Sequence, residues 1–292
     1  MARLTIVAGI IIETGHQVTR WREGDRVTAP FILACGECSD CLGGDPTVCN
    51  HQHVAGFSSW GAFAELIAVP HADFNLVRVP EALGFAETAG MGCRVTTSFR
   101  ALVDRAKLQP GEWLAVHGCG GVGLAAVMIG SAMGARVVAV DINDAALAMA
   151  QTLGAAVTLN VTGTANVGGA LRDMTDGGAH VSLDALGATA TFHNSIRSLR
   201  KLGRHVQIGM PVGKHEAPKI PLLETVYSRQ ISIMGTRGIA ASRFPALLAM
   251  VDAGLIDPAR LITKHISLDE AATALAAMDS YTGAGITVID RF

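Results

Sequence analysis

The stretch that decides the fold runs from residue 113 to residue 123 and reads Trp113-Leu-Ala-Val-His117 followed by Gly118-Cys-Gly-Gly-Val-Gly123. It places G-x-G-x-x-G between an apolar strand pattern and a helix pattern. The first glycine of such a loop permits a tight turn, the second lets the backbone approach a pyrophosphate, and the third lets the helix pack on the strand. Backbone N–H groups at the helix start then face the phosphate charge. The candidate dinucleotide-binding residues are Gly118, Gly120, Gly121, Val122 and Gly123.

A carboxylate follows at the end of the next predicted strand, since Asp141 lies eighteen residues after Gly123. A carboxylate there accepts hydrogen bonds from the ribose hydroxyls of NAD and repels the 2′-phosphate of NADP. The two residues after Asp141 supply no cation, so the sequence predicts NAD. The alternative is a coincidental glycine turn with a solvated carboxylate, which the complete strand, loop, helix and strand context disfavours. Ile208 and Gly209, at the end of a later predicted strand, complete the candidate cofactor-binding set.

Strand and helix patterns alternate around this loop. The predicted strands are Trp113 to His117, Arg136 to Val140, Ala156 to Asn160, Val181 to Asp184, Arg204 to Gly209 and Gln230 to Gly235. The predicted helices between them are Val122 to Met133, Asp144 to Leu153, Thr164 to Thr175 and Ala190 to Leu199. Strict alternation predicts a parallel sheet covered on both faces, and therefore an α/β fold of the doubly wound Rossmann class.

The chain on either side of this region has another texture. Strand patterns without long helices between them predict a small barrel-like β unit at the front, from Ile6 to Glu13, Arg26 to Pro30, Ala62 to Val69 and Asn75 to Val79. Glu87 to Ala106 is predicted to be helical, Phe244 to Met278 mostly helical, and Ile286 to Ile289 a final strand.

Composition excludes several classes of protein. A length of 292 residues suggests about two domains, and a chain that is 50% hydrophobic and 16% charged can bury a large core. A net charge of −2 argues against a nucleic-acid surface. The apolar run Leu4 to Ile12 is too short to span a bilayer and lacks a cleavage signal, so we interpret it as a buried strand. The sequence thus predicts a cytoplasmic protein without a membrane segment.

Four of the six cysteines fall within fifteen residues, as Cys35, Cys38, Cys41 and Cys49. In a long, apolar, cytoplasmic chain such a cluster indicates metal rather than disulfides. Four thiolates suit tetrahedral Zn²⁺ in a closed, structural site that leaves no position for substrate or water. An iron–sulfur cluster also uses four cysteines, but its usual spacings differ. A nucleic-acid zinc knuckle is the other alternative, and nothing basic surrounds this loop.

The cysteine lobe and the glycine loop, in this order, resemble the zinc-containing medium-chain alcohol dehydrogenases. Gly24-Asp25-Arg26-Val27 is similar to the family's G-D-R-V turn, and Gly61 to Val69 to its G-x-F/Y-A-E strand. By this resemblance Cys93 is the last ligand of the catalytic zinc, and Thr97 lies near the nicotinamide. The resemblance covers nearly the whole chain.

The resemblance implies a fold and a reaction. It implies a GroES-like catalytic domain over residues 1–93, a Rossmann NAD-binding domain over 94–236, and a return segment, 237–292, that completes the first domain. It also implies that a zinc-bound alcohol loses its proton and that hydride passes to NAD, because zinc acts as a Lewis acid in a dry cleft.

One departure from the family concerns the catalytic zinc. Where the family reads G-H-E, this sequence has Leu4, Thr5 and Ile6, none of which binds zinc. Together with a missing front segment that would carry another catalytic cysteine, this implies a chain truncated at its N-terminus, in nature, through a misplaced start codon, or by cloning. His51, His53 and His71 are the alternative ligands, and a lone histidine is more often a surface or core residue.

Three hypotheses follow for function. The first is an NAD-dependent, zinc-containing alcohol dehydrogenase acting on a small-molecule alcohol or carbonyl compound, whose chain as given lacks two catalytic-zinc ligands. The second is a non-catalytic NAD- and zinc-binding protein, and the third is a zinc-free quinone reductase of the same superfamily. Because Gln230 to Gly235 is an apolar strand at the predicted sheet edge, we also expect a homodimer or homotetramer.

Overall fold

The computed structural model describes residues 7–277 and 283–292. The chain divides into two compact units, and the second spans Thr97–Thr236. The first ends at Thr96, resumes at Arg237 and includes Ile286–Phe292. The sequence-based assignment of a catalytic domain, an NAD-binding domain and a return segment, with bounds at residues 93 and 236, stays a prediction.

The first unit begins with five short strands and two single-turn helices. They are β1 (Ala8–Ile10), β2 (Arg26–Thr28), β3 (Ile32–Leu33), α1 (Ser39–Leu42), β4 (His53–Val54), α2 (Ala72–Asn75) and β5 (Val77–Arg78). β1, β2 and β5 form an antiparallel sheet, and β3 pairs with β4. The buried side chain of Asn75 accepts from the N–H of Ala34 and donates to its carbonyl, both at 2.9 Å. This bidentate contact fixes the start of the cysteine lobe.

The predicted strand from Ala62 to Val69 is wrong, because this segment is irregular in the structure. Leu66 in its middle is 66% exposed. A strand needs the N–H and C=O groups of a neighbour, and none of the strands in the described part of the chain pairs with this segment. The alternating pattern therefore indicated a preference for β-strand, but no described strand pairs with this segment.

A kinked helix, α3 (Phe85–Phe99), carries the chain from the first unit into the second, as the helical pattern of Glu87 to Ala106 predicts. The kink lies at Gly92, whose φ and ψ of 18° and −146° are not helical. A single turn of π-helix, Arg100–Arg105, follows directly.

The second unit is an alternation of strands and helices. Its elements are β6 (Trp113–His117), α4 (Gly121–Ala132), β7 (Arg136–Asp141), α5 (Asp144–Thr152), β8 (Val157–Asn160), α6 (Val167–Met174), β9 (Ala179–Asp184), α7 (Thr189–Ser198), β10 (Leu199–Gln207) and β11 (Ser232–Gly235). The six strands form one parallel sheet of order β11–β10–β9–β6–β7–β8. The predicted doubly wound sheet is confirmed, with β11 at one edge.

Helix α4 lies against the centre of this sheet and is buried over most of its length. A Cβ on Gly130 would lie 2.6 Å from Cδ2 of Leu114 in β6, so a larger residue there would require the Leu114 side chain to shift. Separate apolar clusters hold two outer helices: Val138 and Val140 with Leu171 of α6, and Phe192 of α7 with Ile231.

The return segment of the first unit contains α8 (Phe244–Asp252), β12 (Ile262–Ser267), α9 (Ala271–Ala277) and β13 (Ile286–Arg291). The mostly helical prediction from Phe244 is therefore wrong over β12, and Met278 at its end lies outside the described residues. β12 pairs in parallel with β13, from Ile262 opposite Ile286. The sequence hides this strand because the two partners are separated by more than a dozen residues. Within the described ranges, no helix is both long and apolar enough to cross a membrane.

Candidate cofactor and metal sites

The glycine loop lies between β6 and α4, and its backbone demands glycine at two positions. Gly118 has φ of 91°, in the left-handed region that side chains avoid. A Cβ at Gly123 would lie only 1.8 Å from the carbonyl oxygen of Gly118. Gly120 differs, since no atom of the described residues lies within 4 Å of its would-be Cβ. The loop therefore leaves open space beside its second glycine, where the pyrophosphate of a ligand would approach the protein backbone.

The first turn of α4 offers N–H groups to that space. Gly120 is the N-cap, and no side chain in the described part of the chain caps the helix. The first N–H groups of an α-helix have no intrahelical acceptor and carry partial positive charge. Ser98 Oγ donates to the carbonyl oxygen of Val122 at 2.8 Å, which anchors this first turn. The arrangement suits an anion such as a pyrophosphate.

Asp141 ends β7 beside the glycine loop. Its Oδ2 accepts from the backbone N–H of Cys119 at 2.6 Å, and its Oδ1 accepts from Ile142 and Asn143 at 2.7 and 2.9 Å. These bonds hold the carboxylate at the loop and leave lone pairs for further donors. Burial, with the charge of Asp141, raises the pKa of the Cys119 thiol to about 12, so Cys119 is a packing residue.

Ile208 and Gly209 follow β10 at the same edge of the sheet. Their N–H groups donate to the carbonyl oxygen of Asp184 at 3.0 and 2.8 Å. A Cβ on Gly209 would lie 2.3 Å from the backbone nitrogen of Gly187, in the loop after β9. A Cβ on Gly118 would lie 3.4 Å from Cβ of Leu186 in that same loop. The loops after β6, β9 and β10 thus meet at the carboxyl ends of their strands, where ligands of doubly wound sheets bind.

The four-cysteine lobe brings its sulfur atoms together. The ligand atoms of Cys35, Cys38, Cys41 and Cys49 all lie within 4.8 Å of one another, and four Sγ–Sγ separations are 3.8, 3.5, 3.7 and 3.5 Å. A tetrahedron with Zn–S bonds of 2.3 Å has edges of about 3.8 Å, so the four thiols fit Zn²⁺.

The electrostatics of the lobe also suit a metal. A hydrogen bond from the Glu37 backbone lowers the pKa of Cys35 to about 6, against the opposing effect of burial. Burial raises the pKa of Cys41 to about 12 and also raises that of Cys49. Without a cation, buried thiols resist ionisation together, whereas a metal ion stabilises all of them as thiolates.

Cys93 is half-buried and packs against Phe31, Ile32 and Val54 in the first unit. The next residue in the sequence, Arg94, was overlooked in the sequence interpretation. Burial lowers the pKa of its guanidinium. In the described ranges, the four cysteines of the lobe are the sole group of three or more potential ligands close enough to share an ion. Cys93 does not belong to that group.

The remaining candidates are not members of that group. His53 Nε2 lies 2.6 Å from Ser59 Oγ, and His71 precedes α2 with φ of 49°. His51 follows the lobe, where its N–H donates to Cys49 Sγ at 3.3 Å. Thr97 is buried in α3. The positions that replace G-H-E, Leu4, Thr5 and Ile6, lie outside the described residues.

Buried polar residues behind the cofactor loops were missed from the sequence. Asp184, His117 and His205 are fully or almost fully buried. Burial is the main cause that lowers the pKa of His117 to about 3 and that of His205 to about 4, so both are neutral. The signal that could have found them is a polar side chain at or near the C-terminal end of each of three strands.

Comparison with known proteins agrees with this architecture. The model of the alcohol dehydrogenase GroES-like domain matches residues 5–81, and that of the zinc-binding dehydrogenase domain matches residues 121–253. An alcohol dehydrogenase of Geobacillus stearothermophilus is 38% identical over 234 residues, which are 78% of this chain and 67% of that protein. One of Moraxella sp. (strain TAE123) is 36% identical over 231 residues, with coverages of 78% and 67%. The chain thus aligns with about two thirds of these relatives.

Solved structures show the same fold. An NAD-dependent alcohol dehydrogenase is 28% identical with a TM-score of 0.86, covering 98% of this chain and 81% of that one. An alcohol dehydrogenase from Thermus sp. ATN1 is 27% identical with a TM-score of 0.87, at coverages of 96% and 81%. The fold and sites define an oxidoreductase with a GroES-like part and a Rossmann sheet. The chain belongs to the zinc-containing medium-chain alcohol dehydrogenase family.

Proposed function

We propose that the protein is an NAD-dependent oxidoreductase that transfers a hydride between a small-molecule alcohol, or the matching carbonyl compound, and NAD. The observation that carries this proposal is the glycine loop with Asp141 hydrogen-bonded at its side. The loop gives space and N–H donors for a pyrophosphate, and the carboxylate gives an acceptor for ribose hydroxyls.

Each part of the chain has a defined task in this proposal. Bound NAD supplies the hydride acceptor. The N–H groups of residues 121–123 neutralise the pyrophosphate, and Asp141 orients the adenosine ribose and repels a 2′-phosphate. The loops that contain Gly187 and Gly209 form the wall of the cleft beside Gly118.

The four-cysteine lobe is proposed to hold a structural zinc. Four thiolates fill the tetrahedral shell of Zn²⁺ and leave no position for substrate, so this metal shapes the lobe and takes no part in proton or hydride transfer. The site requires reduced cysteines, which fits the expected cytoplasmic location.

A second, catalytic zinc is a different matter. Such a zinc needs about three protein ligands and one open position. In the described part of the chain, one group of three or more potential ligands lies close enough to share an ion, the four-cysteine lobe. Cys93, which is followed by the cation Arg94, does not belong to it. We therefore expect one zinc per chain and weak or absent alcohol turnover in the chain of this sequence, with NAD binding retained.

The non-catalytic alternative, an NAD- and zinc-binding protein, is favoured by the same two observations at Cys93 and Arg94. The quinone-reductase alternative has less support, because it accounts for neither the four-thiol lobe nor Asp141. Metal analysis per chain, NADH titration by nicotinamide fluorescence, and NADH formation with a panel of primary and secondary alcohols separate these cases.

One zinc, NADH binding and weak turnover would support the proposal. Two zincs with robust turnover would show that His51, His53, His71 or another group completes the catalytic site, and that our ligand count is wrong. A chain that binds no NADH would contradict the proposed function itself.

A further inference from the structure

A chain of buried polar side chains lies behind the proposed cofactor cleft. It consists of Asp184 at the end of β9, Gln207 at the end of β10, which is half-buried, His205 two residues earlier, and Ser195 of α7. Asp184, His205 and Ser195 have no exposed surface. Burying polar groups is costly unless each finds a partner, so the arrangement needs a reason.

Asp184 ties two loops to its own strand. Its Oδ1 accepts from the N–H groups of Leu186 and Gly187, both at 2.9 Å. Its main-chain carbonyl accepts from Ile208 at 3.0 Å and Gly209 at 2.8 Å. One residue therefore sets the conformation of the loop after β9 and the attachment of the loop after β10.

These two loops have almost no freedom to shift independently. A Cβ on Gly187 would lie 2.6 Å from the carbonyl oxygen of Met210, so the two backbones are in direct contact. Gly187 also has φ of 88°. Because Leu186 lies beside Gly118, where an added Cβ would be 3.4 Å from Leu186 Cβ, the loop that Asp184 holds is next to the glycine loop.

Gln207 connects Asp184 to His205 with a fixed direction. Its Nε2 donates to Asp184 Oδ2 at 3.1 Å and to the carbonyl oxygen of Gly209 at 2.7 Å, which uses both amide hydrogens. Its Oε1, which can only accept, faces His205 Nε2 at 3.3 Å. His205 Nε2 therefore carries the proton.

The other ring nitrogen of His205 completes the chain. Nδ1 of a neutral Nε2–H tautomer is an acceptor, and it lies 2.9 Å from Ser195 Oγ and 3.3 Å from Ser182 Oγ. Phe192 meets the histidine ring edge-on, with ring centroids 5.4 Å apart. Each hydrogen bond in this series of side chains thus has one allowed donor and one allowed acceptor. The order is set by the carboxylate of Asp184, which can only accept.

We infer that Asp184 and Gln207, held by the neutral Nε2–H tautomer of His205, are positioning residues for the NAD cleft. They set the loops at 186–187 and 208–209 against Gly118, although Asp184 itself is buried. This inference rests on the proposed function, because it assumes that the cleft binds NAD.

The variant Asp184→Asn tests the direction of the hydrogen bonds that run from Asp184 through Gln207 to His205. The new amide nitrogen would face Gln207 Nε2, donor to donor, unless Gln207 turns over. A turned Gln207 would present N–H groups to His205, which must then move its proton from Nε2 to Nδ1. We expect NADH affinity to fall about tenfold, as a buried hydrogen bond to a charged group is lost, and the ¹⁵N shifts of His205 to report the other tautomer.

Two further variants control this test. Asp173→Asn removes the same charge from the exposed side of α6 and should leave both NADH affinity and the His205 shifts unchanged. In the double variant Asp184→Asn/Gln207→Glu, the new amide donates to the new carboxylate, which still accepts from His205 Nε2–H. We expect this variant to recover the wild-type tautomer and most of the lost NADH affinity, although Gly209 loses a donor.

The outcomes separate the inference from the proposed function. If wild type binds NADH and Asp184→Asn binds it equally well, the positioning role is overturned and the proposed function stands. If Asp184→Asn weakens binding but the His205 tautomer stays the same, or the double variant recovers neither readout, the directed chain is wrong. If wild type binds no NADH, the proposed function and this inference both fail.

Discussion

At Asp141 one side chain has two tasks, because it holds the glycine loop through Cys119 and faces the proposed ribose site. Replacing Asp141 with Ala removes the ribose acceptor and the repulsion of a 2′-phosphate. We expect NADH affinity to fall about tenfold and NADPH affinity to rise or stay level, so the preference narrows. Nicotinamide fluorescence titration with both cofactors measures this.

Asp141→Asn is the matched control for the structural task. It removes the charge and keeps one oxygen acceptor, so either the Cys119 N–H or the N–H groups of Ile142 and Asn143 lose their acceptor. We expect its thermal stability to fall less than that of Asp141→Ala and its tolerance of NADPH to increase. Equal affinity of wild type for NADH and NADPH would contradict the role assigned to Asp141.

Single residues differ in how far the sequence reveals them. Gly118 and Gly123 were predictable, because their roles follow from a local turn whose geometry is fixed by spacing along the chain. Asp184 and Gln207 were not, because their partners come from other strands and loops. Arg94 was overlooked for another reason. The effect of its positive charge on a metal site depends on which metal ligands surround Cys93.

At the scale of elements, the cysteine lobe has little besides the proposed metal to hold it. Its regular structure is α1 and a single 3₁₀ turn, Pro46–Val48, and its buried cluster is Ala34 with the cysteines themselves. We expect Cys41→Ser to reduce bound zinc from about one per chain to near zero and to lower the free energy of unfolding by about 3 kcal/mol. Elemental analysis and urea unfolding measure the two effects.

Cys119→Ser is the comparison for this experiment, because Cys119 is a buried cysteine outside the lobe. It should keep its zinc whatever it does to stability. A wild-type chain purified without zinc, or a Cys41→Ser protein as stable as wild type, would refute the structural-zinc assignment.

Strand β11 is the exposed edge of the parallel sheet, and it leads to the oligomer prediction. Its Ile233 is 36% exposed, and Leu223 and Tyr227 just before it are 72% and 75% exposed. An apolar, unpaired edge is an aggregation hazard unless another chain covers it. We expect a dimer or tetramer that Ile233→Lys shifts toward monomer, as measured by light scattering at micromolar concentration.

Leu255→Lys introduces the same charge at a residue that is 57% exposed in the first unit, and it should leave the assembly unchanged. A stable wild-type monomer at micromolar concentration would show that the edge is tolerated without a partner.

The elements also show why sequence prediction succeeded in one unit and not in the other. The central strands of the second unit, β6, β7 and β9, are buried and largely apolar runs with helices between them, so local patterns specify them. In the first unit, strands depend on partners that are distant in the sequence: β12 pairs with β13, and no described strand pairs with the segment from Ala62 to Val69.

At the scale of the whole molecule, stability should decline in mild acid. The pKa values of His117 and His205 are lowered to about 3 and about 4 in the folded state, against about 6.5 in an unfolded chain. Between those values the unfolded state binds more protons, so stability is complete above about pH 6.5 and falls as the pH drops toward 4. Each histidine contributes up to about 1.4 kcal/mol per pH unit.

Urea unfolding followed by circular dichroism at pH 7, 6 and 5 checks this expectation. His205→Gln should flatten the pH dependence by about one proton, and His193→Gln, at a half-buried position of α7, is the comparison variant. A wild-type stability that is constant from pH 7 to pH 5 would contradict the assignment of both histidines as buried and neutral.

The discontinuity of the first unit has a consequence for biosynthesis. The second unit is essentially one continuous stretch, Thr97–Thr236, whereas the first joins residues before Thr96 to residues after Arg237. As the chain leaves the ribosome, the N-terminal part of the first unit cannot complete its fold while the second unit emerges. The two parts of the first unit are joined by a long loop, whose closure is costly until β12 and β13 are available. The second unit is therefore free to fold during translation, while the unit with the cysteine lobe is completed only after β13 has emerged. Its thiols thus meet the cellular zinc supply before their fold is finished.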